Sequence, residues 1–354
     1  MPPKIIRVLV VDDSVFMRSM LKDALAHTPG IEVVGSAQNG IEGLERILEL
    51  KPDVVTLDVE MPGMDGLTVL KTVMKRRPLP VVMVSTKTQK GARTTLDALQ
   101  AGAVDYVAKP LGERSATLDS FRTKVVRAVL TAAEANSKTL GKAPPKIAEV
   151  EPASNLPPHA LVAIGISAGG PATLHKMMPA IPADFPPMVI TQHMPADFTG
   201  PFADRLNETS KIAVAEAQTG DVLRSGMALI APGDKHLRVL KRGMQYFASV
   251  DDGPKVSGYR PSVDVLFESV ANAAPHRAVG VVMTGMGFDG AVGLKLLKKH
   301  GARTLAQDQA TSIVYGMPKA AYETGCVDRV VGLPDIPNAM LNELMQLATQ
   351  PLPA

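Results

Sequence analysis

The chain has 354 residues, 45% hydrophobic and 21% charged, with 38 Lys and Arg against 35 Asp and Glu, a formal net charge of +3, one cysteine and no tryptophan. That is enough apolar material for two packed domains. The lone Cys326 excludes an intrachain disulfide framework or a multi-thiolate zinc site, the interspersed charges leave no basic face for nucleic acid, and no run of about eighteen apolar residues is present to span a membrane.

The opening MPPKIIRVLVVDDS meets two aspartates too early for a signal peptide, so a reducing, cytoplasmic compartment is expected. Short β-branched runs then alternate with longer segments of helical period. IIRVLVV precedes a helix over Ser14 to His27, IEVVGSA one over Gly40 to Leu50, and DVVTLD one over Leu67 to Arg77. VVMVS precedes Ala92 to Ala101, and VDYVA precedes Leu118 to Leu130. Five apolar strands alternating with five helices imply a parallel sheet covered on both faces. From Leu130 to Pro158 the periodicity fades into an Ala-, Pro-, Lys- and Glu-rich stretch that reads as a linker, with helix at its start. ALVAIGIS, PMVITQH, KIAVAEA, MALIAPG, AVGVVMTG, RTLAQD and VDRVV then restore the α/β rhythm. HLRVL-KRG-MQYFA interrupts it with an antiparallel hairpin around Gly243. The fold class is α/β, two tandem doubly wound parallel-sheet domains, with expected limits 1–130, a linker 131–158, and 159–350.

In open parallel sheets, ligands gather at the carboxyl ends of the strands. In the first domain Asp12 and Asp13 end the first strand, Asp58 the third and Ser85 the fourth, while Lys109 follows the fifth just before Pro110. Carboxylates gathered at one edge repel one another unless a cation is present, and hard oxygen ligands suit Mg²⁺. Helix capping explains an acid at one turn, but not five polar positions on one edge. Asp12-Asp13, Asp58 ahead of MPGMDG, and Lys109-Pro110 resemble the receiver domain of bacterial two-component response regulators. The resemblance implies a flavodoxin-like sheet in which Asp58 accepts phosphate from a histidine kinase. Asp12, Asp13 and Asp58 would hold Mg²⁺, Lys109 would meet the phosphoryl group, Tyr106 would be the switch aromatic and Ser85 the switch hydroxyl, with Thr86 its competitor.

The second domain opens on GISAGG, Gly165 to Gly170, directly after an apolar strand. The G-x-S-x-G pattern holds a serine at a strand-to-helix turn, although a phosphate-cradling loop or a bland glycine turn ahead of Pro171 reads the same way. A serine nucleophile needs a histidine base and a group that orients it. Of seven histidines, His193 in TQHMP stands directly after an apolar run, and His236 in APGDKH is its competitor. For the acid, GMGFDG offers Asp289 at another strand end. Asp264, three residues after Pro261, suits the first turn of a helix. The order Ser, His, Asp differs from the Ser, Asp, His of common α/β-hydrolases.

GISAGG, TQHMP with Phe198-Thr199, APGDKH, YRPSVDVLF and MTGMGFDGAVG together resemble the chemotaxis protein-glutamate methylesterase family, CheB. That implies a Rossmann-like catalytic domain with Ser167 as nucleophile, His193 as base and then acid, Asp289 as the orienting group, and no cofactor at the esterase site. The implied substrates are glutamate γ-methyl esters on the cytoplasmic helices of chemoreceptors, through which alone the protein would meet a membrane; some relatives also deamidate receptor glutamines. Many relatives carry Thr where this chain has Ala168, which removes one hydroxyl from the site. Arg260 is a candidate contact for the acidic receptor surface or a structural ion pair. A receiver ahead of a hydrolase implies that phosphorylation lifts a restraint on activity, so removing residues 1 to about 140 should raise the basal rate. The rival readings are a phosphorylation-dependent docking adaptor without catalysis, a DNA-binding regulator, which lacks a helix-turn-helix pattern here, and a nucleotide-binding domain, which lacks a Walker lysine.

Overall fold

A computed structural model of the chain describes residues 5–86, 89–110, 115–136, 138–141, 146–150 and 156–349. Parts of the expected linker (137, 142–145 and 151–155) and the expected last domain residue, Gln350, lie outside the described residues. The chain divides into two compact units, Met1–Ala143 and Pro144–Ala354.

The first unit runs β1 (Ile6–Val11), α1 (Val15–Ala26), β2 (Ile31–Ala37), α2 (Gly40–Leu50), β3 (Val54–Asp58), α3 (Gly66–Arg76), β4 (Val81–Ser85), α4 (Gln89–Gln100), β5 (Asp105–Ala108) and α5 (Ser115–Ala133). The strands form one parallel sheet in the order β2-β1-β3-β4-β5. All five residues of β3 and of β4 are buried, as a sheet with helices on both faces requires. Side chains start the helices: Ser14, Asn39 and Asp65 each accept a backbone N–H from the first turn of α1, α2 and α3. The last helix runs past Leu130, because its inward face continues through Val129 and Ala132, both fully buried.

The second unit runs β6 (Leu161–Ile166), α6 (Gly170–Met177), β7 (Met188–Gln192), α7 (Ala196–Thr209), β8 (Ala213–Glu216), β9 (Val222–Leu223), β10 (Met227–Ile230), β11 (His236–Arg242), β12 (Gln245–Asp251), α8 (Val263–Ala273), β13 (Ala278–Val282), α9 (Ala291–Lys299), β14 (Arg303–Gln307), α10 (Met317–Glu323), β15 (Arg329–Val331) and α11 (Ile336–Thr349). Seven strands make a parallel sheet in the order β15-β14-β13-β6-β7-β10-β8. The chain leaves β6 toward β7 on one side and returns to β13 on the other, so the strand order reverses at β6. A crevice is expected at the carboxyl ends there. The hairpin around Gly243 is β11 and β12, paired from His236↔Asp251 to Arg242↔Gln245. It belongs to a three-stranded sheet, because the two-residue β9, too short to carry a period of its own, adds to β12. Phe267 and Val270 of α8 pack in one core with Leu161, Leu294, Leu237 and Val239. That core wedges α8 between the small sheet and the large one, with its first turn beneath the reversal point. Among the described residues no helix is long and apolar enough to cross a membrane.

Candidate functional site

At the edge of the first sheet, oxygens of Asp12, Asp13 and Asp58 lie within 4.8 Å of one another. Asp12 and Asp58 are buried and Asp13 is exposed. The Lys109 ammonium reaches Asp58 Oδ2 at 2.8 Å and Asp12 Oδ2 at 3.0 Å. Burial, and then the Asp12 charge, push the Asp58 carboxyl up from 3.8 to about 6, against the opposing pull of Lys109. Burial alone would lower the Lys109 ammonium, but bonds to Asp58 and Asp12 leave it above its ordinary value. Three carboxylates against one ammonium leave an excess of negative charge on hard oxygen donors, which fits a divalent cation. Ser85 is fully buried, and its hydroxyl contacts the Thr86 and Gly91 carbonyls, both at 3.3 Å. Tyr106 lies on β5, half-buried, and the Lys109 N–H donates to the Ser85 carbonyl at 2.7 Å. Arg18, not singled out from the sequence, braces the acidic turn by donating to the Asp12 and Asp13 carbonyls at 2.7 and 2.9 Å. An arginine one turn into the helix after an acidic pair is the signal that marks it.

In the second unit β6 delivers Ser167, β7 delivers His193, and the turn after β13 delivers Asp289. Gly169, at φ 75°, takes the left-handed conformation that turns the chain from strand to helix after the serine. His193 Nδ1 lies 3.0 Å from Ser167 Oγ, and its Nε2 lies 2.7 Å from Asp289 Oδ2. Asp289 is fully buried and accepts three further bonds: from Ser262 Oγ (2.8 Å), Val263 N–H (2.8 Å) and Asp264 N–H (3.1 Å). It therefore sits on the amino end of α8, where unpaired N–H groups and the helix dipole favour an anion. Burial pushes its carboxyl up, but the bonds from His193, Val263 and Asp264 outweigh burial and hold it below the ordinary range. An ionised Asp289 fixes the ring proton on Nε2, leaving Nδ1 as the acceptor for the serine proton.

A family model described as CheB methylesterase matches residues 162–340, and one described as response regulator receiver domain matches residues 8–118. The chain belongs to the CheB methylesterase family. A protein-glutamate methylesterase/protein-glutamine glutaminase of Pseudomonas savastanoi is 47% identical over 97% of this chain and 100% of its own length. A protein of the same designation from Pyrococcus abyssi is 45% identical over 95% of this chain and 93% of its own. Among solved structures, the Thermotoga maritima CheB methylesterase catalytic domain superposes with a TM-score of 0.51 at 38% identity, covering 52% of this chain and 97% of that one.

Within this methylesterase-family domain the two competing residues have other partners. His236 is buried, with Nε2 bonded to the Pro254 carbonyl (2.9 Å) and Nδ1 accepting the Ser262 N–H (3.2 Å), so neither nitrogen is left for a serine. Asp264 lies in the first turn of α8, as its spacing implies, and its Oδ1 also accepts the Gly290 and Gly293 N–H groups at the start of α9 (3.0 and 2.7 Å). Burial first, offset in part by those N–H groups, and then the neighbouring Asp289 charge raise the Asp264 carboxyl to about 6. Arg260 turns inward: its Nη1 donates to the Asp252 and Gly253 carbonyls at 3.0 and 3.1 Å. Ser262 was not singled out from the sequence, and a serine just before the apolar run VDVLF is the helix-start signal that locates it. It stands at the N-cap of α8, but its hydroxyl goes to Asp289 and not to the helix.

Proposed function

We propose that the chain is a phosphorylation-activated serine hydrolase that demethylates glutamate γ-methyl esters on chemoreceptors, with a receiver over 1–130, a linker over 131–158 and a catalytic domain over 159–350. The observation that supports it most directly is the Ser167–His193–Asp289 relay at the point where the strand order reverses. Ser167 Oγ attacks the ester carbonyl as His193 Nδ1 takes its proton, and the imidazolium is held between Ser167 and the Asp289 carboxylate. The Ser167 N–H is committed to the Thr284 carbonyl (2.9 Å) and that of Gly170 to the Ser167 carbonyl (2.8 Å). Stabilising the tetrahedral oxyanion falls to other backbone N–H groups, those of the glycine turn at Ala168 and Gly169 and those of the Gly285-Met286-Gly287 turn, where the Gly285 N–H is itself committed to the Val314 carbonyl (3.0 Å), with no hydroxyl available from Ala168. Nδ1–H returns the proton to the departing methanol, and water activated at the same nitrogen releases the glutamate. An amide nitrogen can receive that proton too, so glutamine deamidation proceeds by the same route at lower rate.

In the receiver, Asp58 is the phosphate acceptor, with a histidine kinase as donor. Asp12, Asp13 and Asp58 would hold Mg²⁺, which when bound neutralises the acidic cluster and the incoming phosphoryl charge. Lys109 meets the phosphoryl oxygens, while Ser85 and Tyr106 carry the change of state, with its output raising the activity at Ser167. The test is methanol release from methylated receptor membranes by wild type and Ser167→Ala, each with and without a small-molecule phosphodonor and Mg²⁺. Release by wild type alone, faster with the phosphodonor, is expected; no release by either protein would leave a docking adaptor whose chemistry is confined to Asp58.

A further inference from the structure

The segment between the small sheet and α8 carries more than a helix cap. Val256 and Tyr259 exchange backbone hydrogen bonds (2.9 and 3.1 Å) across Ser257 and Gly258, whose φ angles are 52° and 83°. Two consecutive positive φ values make a tight hairpin turn that aims the next side chain firmly. Arg260 then ties the segment to the Asp252 and Gly253 carbonyls, and Ser262 ties it to Asp289. Held from both sides, the Tyr259 ring lies flat on the His193 imidazole, with centroids 3.8 Å apart and planes inclined by 13°. Its phenol oxygen lies over the Gly287 turn, 3.4 Å from where a Cβ there would stand.

Building on the Ser–His–Asp reading, we propose that Tyr259 is a positioning residue for His193, stabilising the imidazolium formed as Ser167 attacks more than the neutral ring of the resting enzyme. An aromatic face carries negative quadrupolar density, so it attracts a cation far more strongly than a neutral heterocycle. In the resting state the stack contributes dispersion and fixes the ring plane. When the Ser167 proton reaches Nδ1, the positive charge is met by Asp289 in the plane of the ring and by Tyr259 on its face. An interaction stronger in the transition state than in the ground state raises kcat and leaves KM alone.

The experiment compares Tyr259→Phe and Tyr259→Trp, which keep an aromatic face, with Tyr259→Leu and Tyr259→Met, which fill the space without one. Methanol release from methylated receptor membranes by the full chain is the readout, with circular dichroism to check each fold. Phe and Trp should retain kcat within about twofold. Leu and Met should lose about 3- to 30-fold in kcat at unchanged KM, equivalent to about 0.6–2 kcal/mol. In wild type, the His193 ring protons, assigned by their loss in His193→Gln, should show the upfield displacement that a stacked aromatic face produces. Wild-type kcat in Leu and Met, an equal loss in Phe, a loss confined to KM, or undisplaced ring protons would each overturn the inference while leaving the hydrolase reading in place. Methanol release that persists in Ser167→Ala, or none from wild type, would remove the hydrolase reading and this inference with it.

Discussion

Replacing Asp289 by Asn keeps the volume and removes one charge, and the four bonds to the carboxylate set the size of the loss. All four come from donors: His193 Nε2, Val263 N–H, Asp264 N–H and Ser262 Oγ. An amide has one acceptor oxygen, so either of its two orientations must oppose a buried N–H. With the oxygen toward His193, the amide NH₂ faces the Asp264 N–H, a conflict of about 1–3 kcal/mol, while the Ser262 hydroxyl can rotate to accept. With the NH₂ toward His193, the conflict moves to Val263, and Nε2 must become an acceptor. The ring proton then sits on Nδ1 facing Ser167, and the base is gone. Even in the first orientation the imidazolium loses its anion. At a charge separation of about 4 Å and an effective permittivity near 20 that removes about 4 kcal/mol, of which a neutral hydrogen bond returns about 1. The net of about 3 kcal/mol is roughly 10²-fold in kcat, and any share of the second orientation deepens it. Asp289→Asn should therefore lose about 10²- to 10³-fold in kcat for methanol release, with little change in KM and a retained circular dichroism spectrum. A loss below about fivefold, or one carried by KM, would refute the reasoning.

The Asp58 carboxyl titrates near 6 in the folded protein against 3.8 ordinarily, so the folded state binds its proton more tightly than the unfolded chain does. The resulting destabilisation is absent below about pH 4, grows as the pH rises to 6 and is complete at pH 7, where roughly two pK units correspond to about 3 kcal/mol. Asp58→Asn should then raise the urea midpoint of the receiver transition at pH 7 without Mg²⁺ and lose that advantage at pH 4, and an unchanged midpoint at pH 7 would contradict it. A Cβ on Gly285 would lie 2.4 Å from Met317 Sδ and 2.7 Å from Ser167 Cβ. Gly285→Ala should therefore displace the nucleophile and cost at least about tenfold in kcat, and near-wild-type turnover would argue against so tight a site. Removing residues 1–143 should raise basal methanol release and abolish the response to a phosphodonor; a truncated enzyme no faster than the unphosphorylated full chain would discard the restraint.

The sequence by itself determined the strands and their alternation with helices, because runs such as VVTLD and VVMVS are buried on both faces and carry that burial in composition alone. It also placed the candidate groups at strand ends: Asp12, Asp13, Asp58 and Lys109 in one unit, and the serine of GISAGG and the histidine of TQHMP in the other. Each lies at the end of an apolar run, so a local signal suffices. Only the tertiary structure decided what these groups do to one another. His193 is bonded to a carboxylate 96 residues away, and Ser262 to that same carboxylate across 27. Those meetings depend on β13 returning beside β6 and on α8 starting beneath both, which no local periodicity encodes. The same placement separates His193 from His236 and Asp289 from Asp264. Side chains alike in type and setting along the chain differ in their partners because one pair faces the reversal point while the other closes the packing behind it.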